Sequence, residues 1–135
     1  MCAPELKVGC VFHWEEYEFD DGGKADKYFV LLGANQGSNL LAVIATSRPK
    51  KRSYTPGCHY KDGYFHIMGG KGDFFPKDTW LLLAPPHELT PALFLKAALA
   101  QKVSVQGELR RELANAIRNC LKLCLDVSED QLKLL

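Results

Sequence analysis

The sequence lacks most of the features that would classify it at once. No apolar run approaches the ~20 residues needed to cross a bilayer. Met1-Cys2-Ala3-Pro4-Glu5-Leu6-Lys7 has no apolar stretch of the export-signal kind, so the expected compartment is the cytoplasm. Charge of one sign is missing too. The 17 Lys and Arg stand against 16 Asp and Glu for a formal net charge of +1, so attraction to a polyanion has to come from local clusters. There is no P-loop, no closely paired zinc-type Cys spacing, no internal repeat and no low-complexity segment, and no cofactor is expected. The cysteines (Cys2, Cys10, Cys58, Cys120, Cys124) are odd in number and irregularly spaced, which in a chain without an export signal predicts free thiols in a reducing compartment.

What is present is 135 residues, 47% hydrophobic and 24% charged, the profile of one globular domain (1–135) able to bury its own core. Short runs with strand character lie at 8–14, 28–32, 40–45, 60–68 and 79–83, separated by glycine-bearing turns at Asp21-Gly22-Gly23, Gly37-Ser38-Asn39, Asp62-Gly63 and Gly69-Gly70. This pattern predicts a small antiparallel barrel or rolled sheet over 7–84. Pro85-Pro86 is expected to end the β region, because neither residue can donate to a ladder. Beyond it the period changes to that of helices, giving a helical tail over 89–135 and an α+β, mainly β, fold class. Thr90 can cap a helix with Pro91 in its first turn. After Gly107 a stronger helix is predicted over 108–125, with Leu109, Leu113, Ile117, Cys120, Leu121 and Cys124 on one stripe. A last turn over 128–135 has Ser128 as its cap, with Asp130 or Gln131 in the first turn.

One strand end carries chemistry. The run over 40–45 delivers the hydroxyls of Thr46 and Ser47 directly into Arg48-Pro49-Lys50-Lys51-Arg52. Hydroxyls supply hydrogen bonds where Arg and Lys supply charge, a phosphate-binding combination. The same hydroxyls also suit a strand end that satisfies its own turn, and a charge run also suits a solvated loop. Tyr54, His59, Tyr60, Lys61 and Tyr64 nearby favour nucleic acid, since bases stack on aromatic rings. Proton carriers for RNA cleavage are offered by Asp20, Asp21, His13, His59 and His66. Glu15, Glu16, Glu18, Asp20, Asp21 and Asp26 read as an exposed acidic loop, with a lid beside the basic site as the sharper alternative. Gly69-Gly70-Lys71-Gly72 reads as a tight hairpin rather than a phosphate nest. Cys120 and Cys124 share a helical face that could hold a metal with Cys58 and His59, but they continue an apolar stripe and read as buried thiols, so no metal site is expected.

The order of these pieces resembles the PemK/MazF toxin family, SH3-like barrels that cleave RNA. Gly9-Cys10-Val11-Phe12 is similar to the family's opening strand, and Phe19-Asp20-Asp21-Gly22-Gly23-Lys24 to its Gly-containing loop. Residues 28–33 stand where the family has its second strand, and 42–48 where it has a strand ending in Thr-Ser-Arg. The likeness covers roughly residues 7 to 84. Lys27-Tyr28 replaces the family's Arg-Pro, and Lys cannot reproduce a bidentate guanidinium. The resemblance implies a metal-independent endoribonuclease of a toxin–antitoxin system, a homodimer acting on single-stranded RNA and paired with an antitoxin protein. It implies catalytic roles for Lys27, Thr46, Ser47 and Arg48. Lys50, Lys51, Arg52, Tyr54, His59 and Lys61 would carry RNA binding. The alternative is a barrel that has lost catalysis and binds RNA or protein.

Overall fold

A computed structural model describes residues 6–19, 21–35 and 37–135 of the chain. Its strands are β1 (Cys10–Glu18), β2 (Lys24–Gly33), β3 (Leu40–Thr46), β4 (Gly57–His59), β5 (Tyr64–Ile67), β6 (Thr79–Leu89) and β7 (Val103–Glu108). They pair antiparallel in one sheet ordered β4-β5-β6-β3-β2-β1-β7. The helices are α1 (Pro91–Leu99), α2 (Arg111–Leu123) and α3 (Glu129–Leu132).

The unbroken apolar runs of β2 and β3 have a direct cause, because both faces of the sheet are covered. On one face Phe12, Phe29, Leu31 and Ile44 pack with Phe94, Ala97 and Ala98 of α1, and the Phe12 ring stacks on Phe29 at 5.3 Å while Phe94 meets it edge-on at 5.4 Å. On the other face Val11, Val30, Leu32, Val43 and Leu81 pack with Leu113, Ile117 and Leu121 of α2. The stripe read from the sequence is therefore the one that α2 buries.

Among the described residues, the hydrogen bonds leave the sheet open, with β4 and β7 as its edges. Side chains reach across where hydrogen bonds do not. The loop over 68–78, between β5 and β6, lays Phe74 on Gly107 of β7 so closely that a Cβ there would come within 2.7 Å of the ring. Asp73 in the same loop accepts hydrogen bonds from Arg110 Nε at 2.7 Å and Nη2 at 3.3 Å. The loop after β5 thus reaches β7 at the opposite edge of the sheet order.

Several expectations need correction. Pro85-Pro86 does not end the β region, since β6 runs on to Leu89. The ladder with β3 pairs Ile44 with Leu82 and resumes at Ala42 with His87, so residues 83–86 bulge out opposite Val43 and neither proline is asked for a ladder hydrogen bond. The tail over 89–135 is not wholly helical. Val103 to Glu108 form β7, which pairs with β1 through Phe12 and Val105, so the helix predicted from 108 has Arg110 as its N-cap and begins at Arg111. The acidic stretch is a hairpin rather than a loop: Trp14 and Tyr17 turn inward and Glu15, Glu16 and Glu18 outward. Glu16, at φ 53, sits at a bulge where its N–H donates to Asp26 Oδ1 at 2.9 Å and its carboxylate lies 3.6 Å from Lys102 Nζ. Asp20 and Cys2 lie outside the described residues. The run predicted over 60–68 is broken by a turn with Gly63 at φ +76, leaving β5 behind it and the short β4 ahead of it. The glycines from Gly69 open the long 68–78 loop instead of a tight hairpin. Finally, Cys58 and Cys120 form a disulfide with Cα atoms 5.6 Å apart, so the expectation of free thiols fails for this pair. Sequence spacing hid it, because β4 and α2 bring together residues separated by 62 positions.

The helix caps follow the sequence. Thr90 accepts from Leu93 N at 3.1 Å ahead of Pro91, and Ser128 forms a capping box with Gln131. No helix among the described residues is long and apolar enough to cross a membrane.

Candidate functional site

Strands β2 and β3 pair through Tyr28 and Ala45. One step further along each strand stand Lys27 and Thr46, then Asp26 and Ser47. Thr46 also pairs with Trp80 at the start of β6. The 68–78 loop returns to that point, bringing Phe75, Pro76 and Lys77 against the strand ends. The result is a groove of about 270 Å³ at the ends of β2, β3 and β6. Lys27, Arg48 and Lys77 bring positive charge to it, Thr46, Ser47 and Thr79 bring hydroxyls, and Asp26 brings a carboxylate. Tyr28 and Phe75 form its apolar walls. Such a site suits a phosphate held by charge and hydroxyls beside an apolar wall.

The hydroxyls are partly engaged. Thr46 Oγ1 accepts from Arg48 N at 3.2 Å, the turn-satisfying role foreseen for a strand end, and Thr79 Oγ1 donates to Lys77 O at 3.0 Å. Thr46 keeps its proton to donate. Asp26 combines its place in the groove with the bond from Glu16 N.

Lys27, Thr46, Ser47 and Arg48 are therefore brought together, whereas the residues expected to bind RNA spread outward from them. Lys50 and Lys51 occupy an exposed tip at φ 39 and φ 66. Arg52 turns back, donating through Nη1 to Arg48 O at 3.1 Å and stiffening the loop. Ser53 fastens that loop to the sheet, its N–H donating to Tyr64 Oη at 2.8 Å and its carbonyl accepting from Trp80 Nε1 at 2.9 Å. Tyr54 stands 60% exposed with its ring 5.2 Å from Trp80. His59 stacks on Tyr64 at 4.7 Å, with Nε2 2.7 Å from Thr55 O. Lys61 is not part of this surface. It lines a separate cavity of about 420 Å³ with Tyr60, Leu123, Cys124 and Asp126.

The proton carriers named from sequence are elsewhere. His13 packs on Tyr28 at 4.8 Å. His66 is buried against Trp80 at 5.0 Å, and its Nε2 lies 3.2 Å from Asp78 Oδ2. Asp21 accepts from Gly23 N at 2.8 Å within its own turn. None of these lines the groove. Asp26, Lys77 and Phe75 do, and sequence reasoning missed all of them as site residues. Asp26 carried little signal, since adjacent residues of an extended strand point to opposite faces and only the strand end lets it join Lys27 at the groove. Lys77 carried none, because only the long excursion after β5 brings it back.

The Asp78 carboxyl is held below the ordinary carboxylate range, chiefly by the Gly69 N–H at 2.8 Å and further by His66. Burial pushes the thiols of Cys10 and Cys124 upward, keeping both protonated. Among the described residues no His, Cys, Asp or Glu side chains gather to hold a metal ion, and with Cys58 and Cys120 joined, neither offers a thiolate. Comparison with family models, with curated proteins and with solved structures returned no match to this chain.

Proposed function

We propose that this chain is a toxin-like, metal-independent endoribonuclease, a divergent PemK/MazF-like SH3 barrel that binds and cleaves single-stranded RNA. The observation that carries the reading is the convergence of Lys27, Thr46, Ser47 and Arg48 on one groove, with Lys77 added from the 68–78 loop. The bridge from that loop to β7 supports the barrel, because it joins sides of the sheet that the ladder leaves apart.

The groove has groups for each part of the reaction. Asp26 takes the proton of a ribose 2′-hydroxyl, whose oxygen then attacks phosphorus. Lys27 and Arg48 neutralise the charge gathering on the non-bridging oxygens, and Thr46 and Ser47 orient them through hydrogen bonds. The Lys77 ammonium gives a proton to the departing 5′-oxygen. The products are a 2′,3′-cyclic phosphate and a 5′-hydroxyl. The working form is a cytoplasmic homodimer held in check by an antitoxin protein. In support of a second copy, α1 leaves Leu95 and Leu99, four residues apart on one face, at 43% and 55% exposure, although an apolar helix face is normally covered.

The test is incubation of the pure protein with a long single-stranded RNA in EDTA, read on a denaturing gel. Discrete fragments that disappear in Arg48→Ala support the enzyme, and intact RNA with the wild-type protein overturns it. A second reading, a barrel without catalysis that binds RNA or protein, is favoured by two features of the groove. No described histidine lines it, and Asp26 is already bonded by Glu16 N. Under that reading Lys27→Ala leaves function intact, whereas the enzyme loses cleavage.

A further inference from the structure

The cysteines take no part in the proposed reaction, yet they sit at a mechanically important place. The segment after β3 carries Arg48, Arg52 and Tyr54 and then runs directly into β4, a sheet edge of only Gly57, Cys58 and His59. β4 has a single ladder neighbour, β5, through Gly57–His66, Cys58–Phe65 and His59–Tyr64. So short an edge strand holds poorly by itself. Beyond that ladder and the stack of His59 on Tyr64, what ties it to α2 is the bond from Cys58 to Cys120, a residue only 1% exposed in the middle of α2's buried stripe.

We propose that the Cys58–Cys120 disulfide is a thiol-exchange site whose reduction releases β4 from α2 and loosens the RNA-binding segment over 48–59. This rests on the RNA reading of the groove and names a regulation of it. The partner is a dithiol reductant of the kind that keeps a cytoplasm reducing. One of its thiolates attacks the Cys58 sulfur, the partner on an exposed residue, and the S–S bond breaks with its electron pair going to Cys120. The second thiol of the reductant then displaces Cys58. The reductant ends as a disulfide, and Cys58 and Cys120 each end as thiols, two electrons and two protons having been transferred. Cys124 is one helical turn from Cys120, with its Sγ 3.5 Å from Cys120 O, but as a buried, protonated thiol it does not act as an internal attacker.

Release leaves part of the segment in place. Ser53 keeps its bonds to Tyr64 and Trp80, so the freed portion is centred on residues 57–61. Within that portion His59 is the RNA-binding candidate, Lys61 lining a separate cavity, and having to order that single residue on binding weakens affinity about tenfold.

The experiment uses the full chain, oxidised or treated with dithiothreitol, with a non-cleavable 2′-O-methyl hexanucleotide as probe. Affinity is read by fluorescence anisotropy, and amide exchange is followed over 57–61. The expected result is an approximately tenfold weaker affinity after reduction, faster exchange at 57–61, and both effects reproduced without reductant in Cys58→Ser. Cys124→Ser should retain the response to dithiothreitol. Equal exchange and equal affinity in the two redox states overturn the inference, as does a thiol titration of the denatured, unreduced protein that finds Cys58 free. If the oligonucleotide binds neither state, the RNA reading fails. In that event exchange at 57–61 still decides the lock.

Discussion

Asp78 shows how one carboxylate can hold a loop and make it sensitive to acid. It accepts from Gly69 N and faces His66, closing the neck of the 68–78 loop, and its folded-state pKa is depressed. The stability it confers is complete above the unfolded carboxylate value of about 4 and is lost as pH falls through the lower folded value. Asp78→Asn should therefore be less stable than wild type at neutral pH, and the gap should close on acidification, as followed by urea unfolding at several pH values. A gap that persists at the acid limit would mean that the effect is not electrostatic. At the same neck, a Cβ on Gly69 would run into the backbone of Lys77 and Asp78. Gly69→Ala should cost about 1–3 kcal/mol by the usual penalty of overpacking, measurable in the same titration. Arg48 has the opposite character, exposed at the groove's mouth. Arg48→Ala should leave the melting temperature nearly unchanged while RNA cleavage disappears.

The elements divide into those that their own sequence announces and those that only their neighbours explain. β3 and the second half of β2 were legible because helices cover both faces there, so nearly every position is apolar. The Thr90 and Ser128 caps were legible because capping is local chemistry. β7 was not, since Ser104 and Gln106 alternate with Val103 and Val105 in a strand too short to stand out between helices, and its partner β1 lies at the far end of the chain. β6 was legible only in its first half, because a bulge that hides two prolines depends on the strand opposite. The same division runs through the groove. Lys27, Thr46, Ser47 and Arg48 belong to strand ends whose register can be counted, while Lys77 arrives by a loop whose course is fixed by Asp73, Phe74 and Arg110. The loop supplies its own test. Arg110→Ala removes the bidentate partner of Asp73 and should speed amide exchange over 70–76 with little change in global unfolding. In α2, Ile117 is fully buried against the sheet. Ile117→Ala should cost about 2–5 kcal/mol, a loss large enough to read in thermal melts.

At the scale of the whole molecule, a net charge of +1 means that the proposed attraction to RNA has to come from Lys27, Arg48 and Lys77 at the groove and from Lys50, Lys51 and Arg52 in the loop beyond it. Binding should accordingly weaken steeply with added salt through release of counterions, although the chain as a whole is nearly neutral. Sedimentation should give a mass of roughly twice 15.1 kDa for the proposed homodimer, and a mass of one chain would count against it. The Cys58–Cys120 bond also divides the chain by connectivity. It closes a covalent ring containing β5, β6, α1, β7 and most of α2, with β1, β2, β3 and the C-terminal residues hanging from it as two arms. A protease that cuts at exposed Lys71, inside the ring, leaves both products tethered, and they migrate as one species under denaturing conditions without reductant. A cut at exposed Lys50 or Lys51 lies on an arm and sets the N-terminal piece free. The pattern of nicked species with and without reductant thus maps which loops a protease can reach.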